Sequence, residues 1–434
     1  MKNTLLALVA GMLVVSSCKK DTKPAPEPSP TISAISPTSG PKNTVVTITG
    51  TNFGTNAAML KVYFNGAQGT IQSATATSIA ALVPANASTG AVKIEKNGVL
   101  VSGPDFTFLH SGTVSTFAGS SQGYSNGTGT AAQFSSPSGV VRDGSGNIYV
   151  ADRDNHRIRK ITAAGVVTTF AGSSEGFLNG SAGESKFNQP YCLTIDASGN
   201  LYVGDRMNHA VRKITPAGVV STLAGDGIAG YADGTGSAAR FNEPLGLACD
   251  ASGNVFVADY LNNAIRKITP AGVVTTFAGS STSGTDNGTG TAARFYGPFG
   301  ITIDVSGNLF VGDYRNHLIR KITAAGVVTT IAGSGNPGFD DGTGAAASFY
   351  QPAGLVTDGN GNVYVCDALN NTIRKVTAAG VVSTFAGNYD AGDADGAVAS
   401  ARFSTPLAIT ADVEGAILYV ADFYNHRIRK LIID

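Results

Sequence analysis

Tryptophan is absent from the 434 residues, only 14% are charged, and the 30 basic and 30 acidic side chains cancel. A chain so neutral offers no basic face for a nucleic-acid backbone, because phosphate contacts need clustered Lys and Arg. Long amphipathic patterns at helical spacing are also missing, and no apolar run reaches the roughly 20 residues that a bilayer-spanning helix requires. Four cysteines are too few and too scattered for a disulfide framework. No nucleophile elbow and no His-Glu-x-x-His run is found. What is abundant is glycine, at 55 residues, among short runs of Val, Ile, Thr, Tyr and Phe. That composition predicts an all-β chain of many short strands joined by tight turns, and the length predicts more than one domain.

The amino terminus reads as an address. Met1 and Lys2 precede an apolar run from Leu5 to Val15 and then small residues ending at Cys18. The run is too short to span a bilayer but suits the hydrophobic region of a secretion signal. Val15-Ser16-Ser17-Cys18 resembles the lipobox of bacterial lipoproteins, which implies a signal peptide over 1–18 and Cys18 as the lipidated first residue of the mature chain. Residues 19–30, KKDTKPAPEPSP, cannot form a packed core and read as an extended tether. Lys19, where an aspartate would be the inner-membrane retention cue, favours the outer membrane. The Lys-Lys-Asp run resembles surface-export tags of Bacteroidetes lipoproteins. The expectation is a monomer of the cell envelope, surface-exposed or facing the periplasm, touching the membrane through its lipid alone.

Residues 31–109 carry alternating strand-like runs (TVVTITG, LKVYFNG, SIAALVP, GAVKIEKNG, PDFTF) separated by Gly, Pro and Asn turns, the pattern of a short antiparallel sandwich. ISAISPTSGPKNTVVTITGTNFG, with VYFNG and ALVP after it, resembles the IPT/TIG family of immunoglobulin-like domains, which implies a spacer or interaction module.

Beyond it the chain repeats itself six times. VADRDNHRIRKI at Asp152 returns as VGDRMNHAVRKI at Asp205 and VADYLNNAIRKI at Asp259. It returns again as VGDYRNHLIRKI at Asp313, VCDALNNTIRKV at Asp367 and VADFYNHRIRKL at Asp422, at spacings of 53, 54, 54, 54 and 55 residues. Each unit holds about four strands, which is the arithmetic of a β-propeller blade. A lone GTVSTFAG strand at 112–119 precedes the first full unit, while the last unit lacks that element, so the early strand is expected to complete the last blade and close a six-bladed ring over 112–434. The units resemble NHL repeats, whose Asn-His-Leu triplet survives as Asn316-His317-Leu318. That resemblance implies a fold more than a function. Cys192, Cys249 and Cys366 each lie in a different unit, where sister units carry small or apolar residues, and are expected to be buried small hydrophobes.

Residues present in every unit, such as Asp152, Asn155 and Arg159, are expected to be scaffold: Asx side chains close turns and the arginine pairs with an aspartate. His156, His209, His317 and His426 sit a blade apart and are replaced by Asn263 and Asn371 elsewhere, so they are not metal ligands. The Gly-[Tyr/Phe]-x-[Asp/Asn]-Gly loops read as turns before calcium loops. Strand alternation places the long inter-unit loops and the Asp-x-x-Asn turns on one face, where binding is expected. Specificity there should come from positions that differ between units. Before the proline the series is Ser136, Gln189, Glu243, Gly297, Gln351, Thr405, and after it Ser138, Tyr191, Leu245, Phe299, Ala353, Leu407. The candidate ligand-binding residues are Gln189, Tyr191, Glu243, Phe299 and Gln351, ringed by Arg153, Arg206, Tyr260 and Tyr314, with Tyr424 beside them. Aromatics and amides around a mouth suit a sugar or peptide. The leading expectation is a non-catalytic protein that binds a glycan, peptide or protein partner, with no cofactor. The alternative is a calcium-dependent, lactonase-like hydrolase or lyase working in the channel, for which the mouth series supplies one carboxylate, Glu243.

Overall fold

A computed structural model describes residues 28–85, 87–412 and 415–433. Cys18, the signal segment and nearly all of the tether lie outside the described residues. The first folded unit is an all-antiparallel sandwich apart from one short parallel pair, Ser39–Gly40 with Thr107–Phe108. Its strands alternate as the sequence does: along Val45–Thr51 the side chains are exposed and buried in turn, putting Val46 and Ile48 inside. Opposing strands add Val62, Phe64, Ile79, Val92, Ile94 and Phe106, so the core is wholly apolar.

Six blades follow. In the first, the inner strand Pro137–Arg142 runs from the upper face to the lower. Ile148–Asp152 returns upward, Arg157–Ile161 descends, and Val166–Ala171 climbs the outside. The second strand of every blade is covered on both sides and is apolar up to the aspartate that ends it, as in VFVAD and LFVGD. Inner strands of adjacent blades approach as closely as backbone allows. A Cβ on Gly246 would stand 2.1 Å from the carbonyl oxygen of Phe299, and one on Gly300 would stand 2.2 Å from that of Ala353. The ring is closed by Gly112–Ala118, which pairs antiparallel with Arg427–Ile433 to finish the sixth blade.

The long connections take an unexpected route. They leave and re-enter on the upper face, but between those points they travel down the outer edge of the next blade. Gly127-Thr128 pairs with Val166-Val167, and the equivalent dipeptides extend four more blades to five strands. In the second blade the same contact is a single bridge, Gly180 to Val220. Much of the loop length read as a sign of binding is therefore spent covering sheet edges that would otherwise template aggregation.

Candidate functional site

The residues common to all blades build the frame on which the upper face rests. Asp152 and Arg159 are fully buried and joined at 2.8 Å, and the five equivalent pairs lie at 2.6–2.9 Å. Each aspartate also accepts the backbone N–H of the residue two before the proline, Ser135 in blade one, and the amide of Asn155 or its counterpart. The arginine's other arm reaches into the edge-covering loop, onto Asn126, Asn179, Asp233, Asn287, Asp341 or Asp395. Four of these are the Asx positions of the Gly-[Tyr/Phe]-x-[Asp/Asn]-Gly loops, and Asn287 and Asp395 hold the same place in Gly-Thr-Asp-Asn-Gly and Gly-Asp-Ala-Asp-Gly, so all six side chains are committed to a guanidinium. The guanidinium lies 5.1–5.4 Å from a buried phenylalanine ring in every blade. Burial pushes the carboxyls of Asp205, Asp259, Asp313, Asp367 and Asp422 up to about 6, against the guanidinium and hydrogen bonds that favour the charge.

The histidines have a structural role that the sequence pattern did not disclose. Each sits in left-handed backbone after the Asp-x-x-Asn turn and turns its Nδ1 to the next blade. There it accepts the N–H of the residue before the proline: His156 from Gln189, His209 from Glu243, His317 from Gln351 and His426 from Ser136. Asn263 and Asn371 do the same with Oδ1, toward Gly297 and Thr405. The position thus needs tolerance of positive φ and a side-chain acceptor, which His and Asn both supply. Burial lowers the pKa of His209, His317 and His426, keeping the accepting nitrogen free.

On the upper face the candidate residues do converge, in a geometry different from an open mouth. Tyr191 and Phe299, from blades two and four, meet edge to face at 5.4 Å and are each 7% exposed. With Leu245, Ala353 and Leu407 they form an apolar plug over the channel. Burial raises the Tyr191 phenol to about 12. Tyr314 stacks on Phe299 at 4.9 Å, and Tyr260 meets both rings edge-on at 6.3 and 6.4 Å. The half-buried rings of Tyr260 and Tyr314 thus form the accessible part of an aromatic floor. Arg206 donates to Glu243 at 2.8 and 2.9 Å and to Gln189 at 3.4 Å, while its guanidinium lies 5.6 Å from the Tyr191 ring. Arg153 forms a two-armed pair with Asp154 and covers Phe423 at 4.6 Å. Gln351 is half-buried beside the plug. Phe423, not Tyr424, occupies the position equivalent to Tyr314. Tyr424 stands one residue further out and is 63% exposed.

Beneath the plug the channel is narrow, about 130 Å³, and walled by Val140, Leu193, Leu247, Ile301, Leu355 and Ile409 with small neighbours. None of the side chains lining it is a carboxylate, so this donor set does not fit calcium, a hard cation that takes oxygen ligands. Glu243 is above the plug and engaged with Arg206. Cys192 and Cys249 line this channel and are partly accessible, a departure from the expectation of full burial, because their strands form its wall. Cys366, on a second strand, is fully buried, and all three thiols are free. Two Gly-x-Ser-x-Gly strings, at 119–123 and 172–176, belong to the loops after outer strands, without the strand-to-helix turn that exposes a nucleophile.

Fold and site together define an all-β, six-bladed propeller of NHL type behind an immunoglobulin-like domain, with a plugged channel and an aromatic upper face. Comparison with known proteins agrees. Residues 30–109 match the IPT/TIG domain model and residues 134–161 the NHL repeat model. Among curated proteins, the chain is 31% identical over 288 residues to Protein SUPPRESSOR OF QUENCHING 1 of Arabidopsis thaliana, covering 61% of this chain but only 27% of that protein. Among solved structures, a Bacteroides thetaiotaomicron protein of unknown function superposes with a TM-score of 0.60 at 23% identity, covering 94% of this chain and 99% of that one. An auxiliary nutrient binding protein from Bacteroides ovatus gives 0.58 at 20% identity over 94% and 99%. At these identities the likeness is one of fold.

Proposed function

We propose that this chain is a non-catalytic lipoprotein of the cell envelope, anchored to the outer membrane through Cys18, whose upper propeller face captures an oligosaccharide. The observation that carries the ligand reading is the floor of Tyr260 and Tyr314, backed by Phe299 and Tyr191 and bordered by Gln189, Gln351 and the Arg206–Glu243 pair. Aromatic faces stack on the apolar faces of sugar rings, while amides and charged groups at the border satisfy hydroxyls. Because the plug closes the channel, the ligand lies across the face, which suits a polymer segment better than a small molecule held in a cavity. A nutrient-binding role, as named for the Bacteroides ovatus neighbour, is consistent with this design. The lipobox, tether and interposed sandwich would hold the face away from the membrane.

A peptide or protein ligand is the second reading, favoured by Met207, Leu261 and Leu369, which are 39–41% exposed at the face's turns. The test is binding of the chain from Lys19 onward to glycan and peptide arrays, repeated with Tyr260→Ala and Tyr314→Ala. Glycan binding lost in both variants supports the proposal. Peptide binding without glycan binding replaces it with the second reading, and no binding to either array overturns both. The anchor is tested separately: Cys18→Ala should move the protein from the membrane fraction to the soluble one.

A further inference from the structure

Three arginines lie in the Asp-x-x-Asn turns of the upper face, and their partners differ. Arg153 is neutralised by Asp154 and Arg206 by Glu243. Arg315, exposed in the turn after Asp313, has no carboxylate within 4.0 Å among the described residues. Its Nε donates to the Tyr260 hydroxyl at 3.1 Å, and its guanidinium carbon lies 5.0 Å from the Tyr260 ring and 5.1 Å from that of Tyr296. The reason for this arrangement is written in the series before the proline. Where blade three has Glu243, blade four has Gly297, and a Cβ there would stand 2.9 Å from Tyr260 Cε2 and 3.2 Å from Arg315 Cδ. The glycine removes a side chain, and Tyr260 and Arg315 close over the space it leaves.

A guanidinium held against aromatic rings is fixed in orientation while its remaining N–H groups stay free to donate. The natural complement of such an edge is a planar oxyanion, which it can bind through two parallel hydrogen bonds. Arg315 also adjoins the aromatic floor through Tyr260, whose ring it contacts and which also meets Tyr314 and Phe299. We infer that Arg315, set between Tyr260 and Tyr296, is an anion subsite of the binding face, and that the ligand is an acidic oligosaccharide carrying a carboxylate or sulfate next to the sugar ring stacked on Tyr260. The inference rests on the oligosaccharide reading above and adds the charge of the ligand to it.

The experiment is a titration of the chain from Lys19 onward with matched oligosaccharide pairs. One pair sets uronic-acid chains against their methyl esters, and the other sets sulfated chains against desulfated ones. The acidic member should bind about tenfold more tightly at low salt, and the advantage should shrink as salt rises. Arg315→Gln should bring the acid-to-neutral ratio close to one, and Arg315→Lys should leave an intermediate ratio because the charge survives and the planar fork does not. Which pair shows the preference identifies the anion. Thermal unfolding of both variants checks that the fold is intact, as expected for an exposed side chain. Equal binding of acidic and neutral members by the unsubstituted protein overturns this inference and leaves the oligosaccharide reading standing. So does an acid preference that survives Arg315→Gln. If no oligosaccharide of either kind binds, both fall together.

Discussion

The sandwich and the propeller solve the same problem, burying β-strands, in opposite ways. The sandwich encloses one apolar core, in which Ile48, Val62, Phe64 and Phe106 exclude water and no charged group is buried among the described residues. The propeller distributes its core between blades and buries a charge pair in each one, with all six arginines fully inaccessible. The first is held by packing that tolerates hydrophobic exchange. The second is held by networks in which strand, turn and edge loop meet at one guanidinium, and removing a partner strands a buried charge.

The largest effect that sharpens this contrast is expected at the pair. Asp313→Ala should cost about 3–5 kcal/mol of propeller stability in chemical denaturation, because Arg320, whose other arm rests on the neutral amide of Asn287, is left uncompensated. Replacing Asp313 and Arg320 together with apolar residues should cost much less, and an equal cost would show that packing and not charge governs the blade. In the sandwich, Ile94→Ala should cost about 3 kcal/mol through a cavity, without a corresponding gain from any second substitution.

The junction between the two regions supplies the next test. His110, after the sandwich's last strand, contacts Ser383 at 3.0 Å and packs on Phe385 of the fifth blade. Burial, aided by the charge of Lys375, lowers its pKa from 6.5 to about 4. The unfolded chain therefore takes up this proton first as the pH drops. The stability tied to the neutral ring is complete above pH 6.5 and is lost as pH falls from 6.5 toward 4. His110→Gln should remove that dependence, so the melting-temperature difference between the two proteins should change over this window by the equivalent of about 3 kcal/mol. A constant difference would place His110 outside the linkage. The smallest effect is expected at the inter-blade histidines. His209→Ala should cost about 1 kcal/mol through the lost acceptor for the Glu243 N–H, and His209→Asn should restore most of it, as Asn263 and Asn371 already do the job.

Much of the fold was legible because repetition is itself evidence. Six copies of Asp-x-x-Asn and Arg-Lys at near-constant spacing imply one unit used six times, and a missing last strand with a spare first one implies closure. The Asp–Arg partnership was legible too, since two opposite charges seven residues apart recur together in buried strands. The histidine contact was not, because its partner is a backbone N–H in another blade, to which no side-chain pattern points. Nor was Arg315 visible as special. Its turn position varies among the blades, and only the space left by Gly297 distinguishes it.

The amino-acid sequence alone determined the strands, the six-fold repeat, the ring closure and which residues are shared or variable among blades, because these follow from periodicity and turn chemistry along the chain. Tertiary structure decided whether the variable residues open a channel or close it. Tyr191 and Phe299 lie two blades apart in sequence, and only the diameter of the ring brings their rings to 5.4 Å and makes them a plug. It also decided that the long loops guard sheet edges, and which of three arginines keeps its charge unanswered, since each depends on distances between blades and not along the chain.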